Sequence, residues 1–106
     1  MLCLSGQFVY SILTREDMNR LGAGDHDFEG IVNQLRYTKG VKAAAFLHET
    51  VDGSYKVSLR SGGMADVAKA AAALGGGGHV RAAGCTLEGT PEEIVERLVA
   101  QISEQL

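Results

Sequence analysis

The chemistry this sequence could carry is concentrated in ten residues, Gly75-Gly76-Gly77-Gly78-His79-Val80-Arg81-Ala82-Ala83-Gly84. Glycines in succession carry a backbone-entropy cost, which a fold tolerates where it needs positive φ angles or where a ligand presses against bare backbone. Unobstructed N–H groups in a row form a concave anion site, to which His79 adds a ring donor and Arg81 a nearby positive charge. Phosphate suits that set. The competing reading is a flexible connection from a helix to a strand, because glycine punctuates loops of every kind. Two familiar phosphate motifs are excluded: the run lacks the Gly-Lys-Ser/Thr ending of a P-loop, and it follows a predicted helix rather than a strand.

Arg60 is the second candidate, near the end of a predicted strand, with Ser58 and Ser61 beside it. Its guanidinium could fork onto two phosphate oxygens; the alternative is a solvated surface arginine. His26 lies in Asp25-His26-Asp27, but neighbours in one loop do not easily converge on one ion, and Asp27 serves better as a helix cap. His48, beside Glu49 at a predicted strand end, is expected to be exposed. Ser58 and Ser61 lack a nucleophile-elbow context, so no hydrolytic triad is expected. Cys3 and Cys85 are too few and too distant in sequence for a zinc site, and read as reduced thiols, Cys85 within a strand.

These residues need elements to position them, and the sequence supplies a legible set. The β-branched and aromatic run around Phe8, Tyr10, Ile12 and Leu13 predicts a strand over 7–13. Thr14 and Asp17 resemble a capping box opening a helix through Leu21 that stops at Gly22. Phe28, Ile31, Val32 and Leu35 recur at helical spacing behind Asp27. The apolar run from Val41 to Leu47 predicts a central strand buried on both faces. Asp52-Gly53 signals a hairpin, after which Tyr55–Ser61 alternates, with Val57 and Leu59 on one face and Lys56, Ser58 and Arg60 on the other. The alanine-rich stretch from Met64 to Leu74 predicts a helix stopped by Gly75. Ala82 to Leu87 predicts a strand, and Thr90-Pro91 caps a last helix with Ile94, Val95, Leu98 and Ile102 on its apolar face. The expected class is α/β, one domain over residues 1–106, with a mixed four- or five-stranded sheet flanked by helices.

Composition limits the partners. With 45% hydrophobic and 22% charged residues, the 106-residue chain is an ordinary globular one. Ten Lys plus Arg against thirteen Asp plus Glu give a net charge of -3, so no global basic field exists to track a long polyanion, and nucleic-acid contact is expected to be local. No basic, apolar leader and no membrane-length segment is visible, which makes the expected location cytoplasmic, with no membrane partner.

Ser58-Leu59-Arg60-Ser61, then Gly75 to His79, then Ala82-Ala83-Gly84, together resemble the DHH-associated domain of DHH-family phosphoesterases. The resemblance spans nearly the whole chain. Asp27-Phe28-Glu29-Gly30-Ile31-Val32-Asn33 is similar to the corresponding segment of the nano-RNase (oligoribonuclease) and pAp-phosphatase branch. It implies the substrate-binding half of a larger two-domain enzyme, a hydrolase whose other domain binds two divalent metal ions, commonly manganese, through an Asp-His-His motif absent here. Arg60 and Ser61 would then hold a substrate phosphate, and Gly75, Gly76, Gly77, Gly78 and His79 would cradle the substrate. No catalytic residue, metal ligand or cofactor is expected in this chain, and alone it is expected to be inactive. The implied partners are short oligonucleotides, nucleotides or pAp, and the missing catalytic domain; an exopolyphosphatase-like substrate also fits. The alternative is a non-catalytic nucleic-acid-binding module like the carboxy-terminal domain of alanyl-tRNA synthetases.

Overall fold

The computed structural model of the chain describes residues 2–3, 7–17, 41–62 and 65–105. The expectations for the helix reaching Leu21, for the helix carrying Phe28 to Leu35, for His26 and for Met64 lie outside the described residues. Within them the chain order is β1 (Leu2–Cys3), β2 (Phe8–Leu13), β3 (Ala43–Glu49), β4 (Tyr55–Ser61), α1 (Val67–Ala73), β5 (Gly77–His79), β6 (Ala82–Leu87) and α2 (Pro91–Ser103). The sheet is mixed, in the order β1-β2-β3-β4-β6-β5, with β2 and β3 parallel and every other pair antiparallel. The four longer strands are those expected from the sequence; the short β1 and β5 extend the ladder at its two edges.

Local chemistry explains the boundaries. Thr14 and Asp17 bond reciprocally, each backbone N–H donating to the other's side-chain oxygen at 3.1 Å, so the helical turn beginning at Arg15 is capped as expected. Thr90 and Glu93 form the same device at α2, with Pro91 in the first turn, where its missing N–H is not needed. In the β3–β4 hairpin, Thr50 N–H donates to Ser54 O at 2.8 Å, and Gly53 takes a φ of 89°, which a side chain would resist. Helix α1 starts later than the alanine pattern suggested, because the Asp66 carboxylate accepts the N–H of Lys69 at 3.1 Å and makes Asp66 the cap.

β3 is central and buried on both faces. One face carries Ala43, Ala45 and Leu47 into the main core, where they meet Val57 and Leu59 of β4, Cys85 and Leu87 of β6, Val67 and Ala70 of α1, and Ile94, Leu98 and Ile102 of α2. The other face carries Ala44, Phe46 and His48. The expectation that His48 is exposed is wrong: β3 runs two residues past Leu47, so His48 shares the covered face with Phe46, their ring centroids 6.1 Å apart, and is only 4% exposed. Cys85 is a free, buried thiol, as expected of a strand interior, and burial pushes its pKa up. Among the described residues no helix is long and apolar enough to cross a membrane.

Candidate anion-binding face

The glycine run divides into two parts with different jobs. Gly75 N–H donates to Ala72 O at 3.1 Å and Gly76 N–H to Ala71 O at 2.8 Å, the paired bonds by which a Schellman motif closes a helix behind its cap, here Leu74. Gly75 supplies the positive φ, 89°, that this motif needs. Its predicted role as helix stop therefore holds. A cradle of four consecutive open amides does not form, because two of the four N–H groups are consumed by the helix end.

Gly77–His79 is strand rather than loop, which the sequence reading did not anticipate. It pairs with β6 in the register Gly77↔Gly84, Gly78↔Ala83 and His79↔Ala82, joined by the exposed two-residue turn Val80-Arg81. The bare backbone is partly a packing requirement. A Cβ on Gly78 would lie 2.6 Å from Ala83 Cα, and one on Gly76 would lie 2.1 Å from Gly84 O, so both glycines permit close approach to β6. Gly77 differs: its φ is not positive, and a Cβ there would meet nothing within 4 Å.

Register then brings the two candidate side chains together. Arg60 of β4 is opposite Ala82 of β6, and Ala82 is opposite His79 of β5. Residues opposite one another in antiparallel strands present their side chains on the same face. Arg60 and His79 thus flank a single methyl group in one row, two strand spacings or about 10 Å apart. Arg60 is half-buried, and its Nη1 donates to Leu59 O at 2.8 Å, which orients the guanidinium. His79 and Arg81 are exposed. Ser61 does not join them on this face: it is 1% exposed, and its backbone N–H donates to Arg81 O at 2.9 Å, tying β4 to the turn.

That last bond fixes which amides point where. Ladder bonds between antiparallel strands recur at every second residue. Ser61 bonding across to Arg81 assigns Ala83, Cys85 and Leu87 to the β4 side of β6, and Ala82 and Gly84 to the β5 side. Gly77 and His79 then bond to β6, while Gly78 directs its N–H toward the outer edge of the sheet.

The same face continues away from this row. Along β4 lie Ser58 and Lys56, opposite Gly84 and Thr86 of β6. A cavity of about 420 Å³ is lined there by Lys56, Ser58, Thr86, Gly84 and the turn glycines Gly75 and Gly76, with the core-facing Val57 and Cys85 also at its wall. Lys56 was legible as a member of this face from strand alternation; Thr86 was not singled out, because a lone threonine in a short strand signals only β propensity. Among the described residues no three His, Cys, Asp or Glu side chains group where a metal ion could be held.

A strand-end arginine, an imidazole across the sheet from it and a glycine edge strand, on a mixed sheet with two helices among the described residues, make a small α/β domain with an anion-compatible face. The chain belongs to the DHHA1 domain family, whose model matches residues 5–106. It is 39% identical over 83 residues to the bifunctional oligoribonuclease and PAP phosphatase NrnA of Thermus thermophilus, covering 77% of this chain and 25% of that protein. The crystal structure of an exopolyphosphatase-related protein from Bacteroides fragilis superposes with a TM-score of 0.82 at 33% identity, over 90% of this chain and 28% of that one. The C-Ala domain of Aquifex aeolicus alanyl-tRNA synthetase shares the fold, with a TM-score of 0.64 at 12% identity, over 92% of this chain and 89% of that one. The chain therefore spans about a quarter of the length of its phosphoesterase relatives.

Proposed function

We propose that this domain holds the phosphate of a nucleotide or short oligonucleotide for a DHH-type hydrolase acting as an oligoribonuclease and pAp phosphatase, or on a polyphosphate-like chain. The observation that carries the reading is the row His79–Ala82–Arg60, two phosphate-compatible groups on one face with only a methyl between them. Arg60 forks onto two phosphate oxygens, and its bond to Leu59 O lowers the entropy lost on binding. His79 donates from its ring, the outward N–H of Gly78 adds an amide, and the absent side chain at Gly77 lets the ligand approach the backbone. Ser61 acts from beneath, holding the end of β4. The net charge of -3 favours a short ligand over a long polyanion, which sets this reading above a tRNA-binding role.

The chain supplies position rather than bond cleavage. The metal ions of the family, manganese by the resemblance, belong in this reading to a separate catalytic domain, and the residues here orient the phosphate toward it. The cytoplasm is the expected site of action, a reducing compartment compatible with the thiol of Cys85. Arg60→Ala is expected to weaken binding of pAp or a dinucleotide about 10- to 100-fold, the worth of a charge-assisted bond of about 1.5–3 kcal/mol, while the chain still unfolds cooperatively. His79→Ala is expected to weaken it about tenfold. Titration calorimetry with thermal melts checks both, and wild-type affinity in the two variants would refute the assignment.

A further inference from the structure

The cavity beside the glycine turn lies on the same face as Arg60 and His79 yet is too distant to serve the same phosphate. Lys56 precedes Arg60 by four residues of one strand, about 13 Å along β4. Between them the floor is low: the only side chain along β4 on this face is the small Ser58, and it faces Gly84, where a Cβ would stand 2.9 Å from Val57 O. Lys56 is exposed and Thr86, directly opposite, is exposed as well, leaving an ammonium and a hydroxyl facing the open end of the trough. The volume, about 420 Å³, is within the range of small-ligand sites, about 300–1,000 Å³.

We propose that this trough is a second phosphate subsite, in which Lys56, assisted by the hydroxyls of Ser58 and Thr86, holds a phosphate of the same oligonucleotide further along the strand from the one at Arg60. The proposal rests on the reading of Arg60 and His79 as the first phosphate site, and adds a length preference to it. A mononucleotide or dinucleotide seated at Arg60 ends before Lys56; a chain of three or four nucleotides reaches it. Gly75 and Gly76 form the wall on the turn side, their amides already committed to the end of α1, so the wall contributes shape and Lys56 contributes charge.

The test is an NMR titration of the 106-residue chain with a 5′-phosphorylated RNA dinucleotide and tetranucleotide at two or more salt concentrations. The wild-type chain is expected to bind the tetranucleotide about fivefold more tightly than the dinucleotide. Lys56→Gln should erase that difference while leaving dinucleotide affinity unchanged, and should reduce the slope of log Kd against log salt for the tetranucleotide by about 0.7, one phosphate contact on a single strand. A Lys56→Gln variant that keeps the length preference, or weakens both ligands equally, overturns the subsite. The underlying reading fails separately and visibly, if Arg60→Ala leaves dinucleotide binding unchanged or if neither RNA shifts any amide of the wild-type chain.

Discussion

Along β4 two sets of residues alternate and experience opposite surroundings. Tyr55, Val57, Leu59 and Ser61 are buried to 5% exposure or less, whereas Lys56 is exposed and Ser58 and Arg60 are half-buried. One strand thus seals the core with its odd-numbered residues and offers phosphate-compatible groups with its even-numbered ones. β3, its neighbour, has no such division, since Ala44, Phe46 and His48 are as buried as Ala43, Ala45 and Leu47. The difference shows where a ligand can reach the sheet: the second face is closed over β3 and opens over β4 and β6. It also makes folding and binding separable by residue parity, which substitutions can test.

The largest effect is expected on the core side. Leu59 is fully buried among the helices, and Leu59→Ala should destabilise the chain by about 2–5 kcal/mol through lost transfer energy and a residual cavity, measured by urea denaturation. A loss below 1 kcal/mol would mean that β4 does not seal the core. The glycine turn draws the same distinction more finely. Gly76→Ala forces a methyl to 2.1 Å from Gly84 O and is expected to cost about 1–3 kcal/mol as overpacking. Gly77→Ala meets open space and should change stability by less than about 0.5 kcal/mol, as exposed substitutions usually do. If Gly77→Ala nevertheless weakens nucleotide binding, the glycine at that position serves the ligand and not the fold.

Much of this was legible in the sequence because the relevant signals are local. The Asp52-Gly53 turn, the alternation from Tyr55 to Ser61, the strand Ala82–Leu87 and the Thr90-Pro91 cap each follow from residues within one turn or one strand of each other. The co-location of Arg60 and His79 could not be read in that way, since it depends on register across three strands. β5 was missed for a related reason: Gly77 and Gly78 have no side-chain pattern, and low strand propensity is overridden by pairing with β6 through a turn, Val80-Arg81, whose residues give no hairpin signal. His48 looked exposed because a polar residue at the end of an apolar run normally marks the strand's limit, and only the ladder with Lys56 shows that β3 continues. The division of labour among the glycines was hidden because four identical residues carry no information about which amides the preceding helix will claim.

The smallest expected effect concerns the polar loops that hold these elements in register. Asp52 has its pKa lowered from its usual 3.8, chiefly by the hydroxyl of Thr50 and then by the backbone of Ser54, and Glu93 from its usual 4.5 by its bonds to Thr90. Both carboxylates are stabilised in the folded state relative to the unfolded one, so their contribution is fully present above the unfolded values. It is lost as pH falls through the lower folded values, because protonation removes the negative charge that strengthens the bonds accepted in the hairpin turn and at the α2 cap. Neither group belongs to the phosphate-compatible face. Asp52→Asn and Glu93→Gln should therefore lower the melting temperature slightly at pH 7, differ less from wild type at pH 3, and leave nucleotide affinity at pH 7 unchanged. A stability difference that stays constant between pH 3 and 7 would assign the effect to packing instead. A loss of affinity in either variant would mean that the β3–β4 hairpin or the α2 cap is coupled to the binding face, and the separation seen along β4 would not extend to the rest of the domain.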